Sequence, residues 1–117
     1  MGSILSKPEP EYVALFYYKI VYRKRVIYVG RTFDFMRRSN EHKNASNKVP
    51  KYPWSTENNT PLYRRIRQIG GWDKVTMILL ETRDEKCRYE MCARETHWIQ
   101  RHLSKHLTNV ILHSIDH

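Results

Sequence analysis

Arg38 and His42 stand four residues apart in "FMRRSNEHKN" (35–44), so a helix over this stretch puts them on one face. A guanidinium fork suits a phosphate oxygen or the charge that grows on it, and an imidazole exchanges protons near neutral pH. Against that stands a plainer origin: Arg37, Arg38 and Lys43 as a solvated basic face, with His42 a surface histidine. Farther along, Met91, Trp98, Ile99 and His102 or Leu103 mark an apolar stripe at helical spacing, and Glu95 falls in its middle. An ionised carboxylate on a buried face is costly unless it is paired with a cation or bound to a metal. Glu95 is therefore either half of a structural ion pair with an arginine or a metal-binding or catalytic acid. Two phenols, Tyr18 and Tyr28, lie in the strand-like runs "FYYKIVY" (16–22) and "VIYVG" (26–30).

Whether those phenols meet depends on the hairpin between the runs. A three-residue loop over 23–25 sets Tyr18 opposite Gly30 and Ile20 opposite Tyr28, which makes the two tyrosines diagonal neighbours on one face. A two-residue loop puts them on opposite faces. A helix follows from Asp34 to about Ala45, capped by Thr32 or Asp34. Residues 44–61 are polar with three prolines and read as a long loop. Lys48, Lys51, Tyr52 and Trp54 interleave charge and aromatics there, either to stack on nucleic acid or to pack the loop onto the core. A short helix over 62–69 stops at Gly70–Gly71, a third strand covers 74–81, and a long helix over 84–106 is capped by Thr82 or Asp84. The order ββααβα predicts an α/β chain of the α+β kind: a small, mainly antiparallel three-stranded sheet flanked by helices.

The 117 residues suffice for a single domain, 12–117, after a flexible lead-in over 1–11. Twenty-one Lys and Arg against 12 Asp and Glu give a net charge of +9, which favours polyanions, nucleic acid first. No long apolar run or secretory core is present, so neither a membrane span nor stable membrane association is expected. "MGSILSK" matches the myristoylation pattern at Gly2 and Ser6, but a single acyl chain anchors only marginally. Cys87 and Cys92 diverge by about 140° on one helix, which suits reduced thiols in an intracellular protein. The pairs His102–His106 and His113–His117 have zinc-like spacing, yet no CxxC or HExxH accompanies them, and structural zinc is not expected.

These pieces together resemble the GIY-YIG nuclease family. "FYY" (16–18) stands at GIY and "YVG" (28–30) at YIG, Arg38 falls eight residues after Gly30 at the catalytic arginine, and His42 matches a position often filled by His or Tyr. "RETHWI" (94–99) is similar to the motif around the metal-binding glutamate, which maps to Glu95, and Asn109 in "LTNV" matches a C-terminal asparagine tied to site or fold integrity. The likeness runs from about residue 16 to 110, in order. Phe16 and Tyr17 depart from GIY. Arg31 stands where some members carry a lysine; it cannot take a proton, but its charge can depress a phenol pKa.

The resemblance implies a DNA endonuclease that hydrolyses phosphodiester bonds in duplex or branched DNA with one divalent ion. Glu95 would hold Mg²⁺, with Mn²⁺ able to substitute. Arg38 and the ion would offset charge on the phosphorus, and Tyr18, with Tyr28 alongside, or else His42, would take the proton of the attacking water. Gly30, Arg31 and Asn109 would support the site. Arg31, Arg37, Lys43, Lys48, Lys51 and Trp54 would contact nucleic acid. A single centre cuts one strand, so the chain acts as a monomer or a dimer. The competing function is an inactive nucleic-acid-binding module of the same fold.

Overall fold

The computed structural model describes residues 12–56 and 58–109. The lead-in with the Gly2 and Ser6 pattern, and the His113–His117 pair, lie outside them. Runs rich in Val, Ile and Tyr form β1 (Val13–Tyr22) and β2 (Arg25–Thr32). They are followed by α1 (Phe35–Asn47), α2 (Pro61–Ile69), β3 (Thr76–Glu85) and α3 (Arg88–Arg101). The sheet order is β2–β1–β3 with both pairings antiparallel, a small α+β fold.

The central strand β1 is covered from both sides. Tyr18 and Ile20 pack with Ile27 of β2 and with Leu62 and Ile66 of α2. Leu15 and Tyr17, on the opposite face, pack with Met91 of α3. Adjacent tyrosines in one strand thus enter two separate cores, as the period of two requires.

The hairpin differs from the expected three-residue loop. Tyr22 pairs with Arg25, so only Arg23 and Lys24 turn the chain, both with positive φ (47° and 65°), as a type I′ turn demands. Such a turn alone would separate the phenols. A bulge restores them: Val21 pairs with Val26 but Ile20 with Tyr28, leaving Ile27 as the extra residue. Beyond it Tyr18 faces Gly30, the register the longer loop would have given. A second bulge, between Tyr17 and Tyr18 against β3, leaves Leu80 unpaired, and that side chain packs beside Leu15 and Tyr17.

Asp34, not Thr32, caps α1, its carboxylate accepting the Arg37 N–H at 3.0 Å. Helix α2 starts on Pro61 behind Thr60. It ends in a Schellman-type closure in which the Gly71 N–H reaches the Ile66 carbonyl at 2.9 Å and Gly70 sits at φ +124°. The third strand is longer and the last helix shorter than expected. Thr82 and Asp84 do not cap α3; they pair with Phe16 and Ala14 as part of β3. Cys87 holds the cap position, and the Glu90 carboxylate accepts the Lys86 N–H at 2.8 Å. Because α3 closes at Arg101, with His102 its cap, His102 and His106 do not share a helix face, and Leu103 is exposed. Among the described residues, no helix is long and apolar enough to cross a membrane.

Candidate active site

The site is built around His42. Helix α1 buries this side chain to 1% exposure, and its two ring nitrogens meet two phenols: Nε2 lies 2.7 Å from the Tyr18 hydroxyl and Nδ1 lies 2.8 Å from the Tyr63 hydroxyl. Trp72 stacks on the imidazole and Tyr28 meets it edge-on. Burial, reinforced by the Arg38 charge, pushes the imidazole down to about 3. A neutral ring offers one donor and one acceptor, so one of its two phenols donates to it and the other accepts. His42 is therefore the middle of a three-group proton chain, not a surface histidine.

Gly30 explains how Tyr18 reaches it. A Cβ at Gly30 would lie 2.6 Å from the Tyr18 hydroxyl oxygen and 2.7 Å from the Tyr28 ring, so both phenols occupy space that only glycine leaves free. Their ring centroids are 6.2 Å apart on one sheet face. Burial raises both phenols above their usual range, with the Arg38 guanidinium opposing it. Arg31 is engaged by Glu95 at 3.0 Å, and its charge opposes the rise at Tyr17 on the other face.

A cavity of about 380 Å³ opens beside this chain of groups. Tyr28 of β2, Arg38 and His42 of α1, Tyr63 of α2 and Glu95 of α3 line it, along with Asn109. Tyr18 does not: it is fully buried, with its hydroxyl directed to His42. Arg38 is held by Glu41 at 3.1 Å, one helical turn on. Asn109 clamps the free edge of β2, accepting the Val29 N–H at 2.8 Å and donating to the Val29 carbonyl at 2.7 Å. Thr108 bonds Ile27 next to it. Asn109 thus performs the work of a missing strand at the point where the cavity wraps the sheet edge.

Glu95 resolves the open choice in part. Its Oε1 pairs with Arg31 at 3.0 Å, so the ion-pair reading describes one oxygen. Its side chain is 26% exposed and stands on the cavity, close enough for its charge to raise the Tyr28 phenol. Burial raises the Glu95 carboxyl, with Arg31 opposing. Oε2 has no hydrogen-bond partner among the described residues. Also among the described residues, no three His, Cys, Asp or Glu side chains cluster to hold an ion. A lone hard carboxylate facing an open cavity fits Mg²⁺ or Mn²⁺, which keep several waters, and does not fit zinc.

The nucleic-acid contacts separate into groups. Arg31 is occupied by Glu95, and Arg37 pairs with Glu41 at 3.4 Å. Lys43, Lys48 and Lys51 are exposed. Trp54 and Tyr52 do not pack on the core; they are exposed and stacked on each other. Sequence reading missed Tyr63, whose only signal was one aromatic on a short amphipathic helix. It also missed Glu81, which accepts a bidentate pair from Arg94 (2.6 and 2.8 Å) and the Trp98 indole N–H (3.0 Å), fastening α3 to β3. Both cysteines are free and exposed. Fold and site together define a basic α+β domain with a phenol-walled, mixed-charge cavity at a sheet edge. Set beside known protein families, characterised proteins and solved structures, the chain matches none of them.

Proposed function

We propose that the protein is an intracellular, metal-dependent DNA endonuclease of the GIY-YIG type. The observation that carries this reading is the single cavity in which Tyr28, Arg38, His42 and Glu95 meet. A divalent ion bound by Glu95 would supply Lewis-acid stabilisation of the phosphate. The chain's own groups do the rest. Arg38, fixed by Glu41, offers donors to a non-bridging phosphate oxygen as its charge grows. Tyr28 orients the attacking water from the cavity wall. The water's proton passes either to a deprotonated Tyr28 phenol or, by relay through the Tyr63 hydroxyl, to Nδ1 of His42, whose Nε2–H is held by the buried Tyr18; the imidazolium so formed returns the proton to solvent through Tyr63. Tyr18, being buried, acts through His42 as a positioning residue. The basic surface supplies affinity for DNA with little sequence reading.

The Arg31–Glu95 pair favours a second reading, an inactive nucleic-acid-binding module in which Glu95 is purely structural. Plasmid nicking separates the two. The nuclease reading expects nicking with Mg²⁺ or Mn²⁺ that EDTA abolishes and that Glu95→Gln lowers by at least 100-fold with the melting temperature nearly unchanged. Intact plasmid under every divalent ion leaves the binding module, and a Glu95→Gln protein that melts several degrees lower marks the Arg31–Glu95 pair as structural.

A further inference from the structure

The connection between α1 and α2 carries an aromatic pair that neither core uses. Tyr52 and Trp54 stack at 5.1 Å between centroids with planes 7° apart. Trp54 is 78% exposed and Tyr52 46%. The Lys51 ammonium stands 5.5 Å from the centroid of the Tyr52 ring, a cation beside the stack. Trp54 has one face against Tyr52 and, being largely exposed, its other face open to solvent. The stack is unfinished at the indole end.

The stack is held in place. Arg67 of α2 donates to the Ala45 and Lys48 carbonyls, each at 3.3 Å, and to the Asn59 side chain at 3.3 Å. Asn59 in turn donates to the Pro53 carbonyl, between the two rings in sequence, and the Ser55 N–H reaches the Tyr52 carbonyl at 3.0 Å. The next residue after Asn59, Thr60, lines the cavity of the candidate active site. The loop carrying this aromatic face is thus tied to α2 through Arg67 and Asn59, and it also carries the exposed Lys48 and Lys51.

We infer that Trp54 is a stacking platform for one unpaired nucleobase, and that the nucleic acid this protein takes carries a single-stranded segment. An open indole face next to cations matches a base attached to a phosphate chain. In continuous duplex every base has both faces covered by its neighbours, so it has none to give Trp54; an overhang, flap or branch does. That this nucleic acid is also cleaved rests on the nuclease reading, but the platform itself is testable without cleavage.

The test uses the full chain in EDTA, with a 12-nucleotide single strand and a relaxed closed-circular duplex at equal nucleotide concentration and fixed salt. Affinity is measured by competition and tryptophan emission is followed. The single strand should quench emission, and Trp54→Ala should weaken single-strand binding about tenfold while changing duplex binding less than twofold. Trp54→Phe should recover most of the loss, and an unchanged melting temperature in both variants shows that the fold is intact. Equal losses on both nucleic acids make the loop a general docking element and overturn the inference. No loss on either hands the face to another class of partner, such as a peptide, and also overturns it. The two proposals fail separately: selective loss in a chain that never nicks plasmid keeps the platform and sinks the nuclease, and nicking without selective loss does the reverse.

Discussion

At the scale of single residues, the proposed site combines one charge that would act in the transition state with one ring that burial holds neutral. Arg38 reaches the cavity from α1 and is one cation among many on a chain of +9. Its loss should therefore leave DNA affinity within about twofold while Arg38→Ala lowers turnover by roughly 100-fold or more, measured by single-turnover nicking and by binding in EDTA. A parallel fall in both would make Arg38 a docking residue. His42 predicts a pH effect whose sign follows from its depressed pKa. Between about 3 and 6.5 the unfolded chain binds a proton that the folded one refuses. Stability is thus unaffected above that window and falls as pH drops through it, by up to about 1.4 kcal/mol per unit from this group. Urea titrations at pH 7 and 5 should show the fall, and His42→Gln should flatten it. The same value separates the candidate bases. A phenol held above its usual range makes the nicking rate climb about tenfold per pH unit through neutrality, whereas a rate that is flat there assigns the step to His42.

At the scale of elements, a β-bulge and a glycine decide whether the phenols meet. The Arg23–Lys24 turn fixes one register and the Ile27 bulge corrects it by one residue, so that Tyr18 crosses Gly30. Gly30→Ala places a methyl 2.6 Å from the Tyr18 hydroxyl oxygen and should cost about 1–3 kcal/mol in urea unfolding, with loss of the His42 contact. A stability unchanged within 0.5 kcal/mol, a range typical of surface changes, would show that the crossing is not tight. The edge of β2 is closed by the Asn109 amide, so an asparagine far along the chain braces a hairpin near its start.

At the scale of the whole molecule, charge should set affinity and salt should set charge. Lys43, Lys48 and Lys51 are exposed on α1 and on the loop after it, while Arg31 and Arg37 are engaged by carboxylates. Each phosphate contact contributes about 0.9 to the log–log salt slope on duplex DNA. Lys43→Ala should flatten that slope by roughly this amount, and Arg37→Ala should flatten it less, because Glu41 already holds the guanidinium. Equal changes would show that the Arg37 pair opens on binding.

The sequence alone determined the element order, the antiparallel α+β sheet, an N-cap at Thr32 or Asp34, and the glycine stop after α2. Each is written in local periodicity and in residues whose backbone preferences act within one turn. It also marked Tyr18, Tyr28, Arg38, His42 and Glu95 as unusual. Only the tertiary structure decided what each of them touches. The two-residue turn and its compensating bulge, the β3 extension through Thr82 and Asp84, the Tyr63–His42 contact and the Arg31–Glu95 pair all depend on partners distant in sequence. Side-chain packing and desolvation across those distances, and not local preference, set which register and which ion pair prevail.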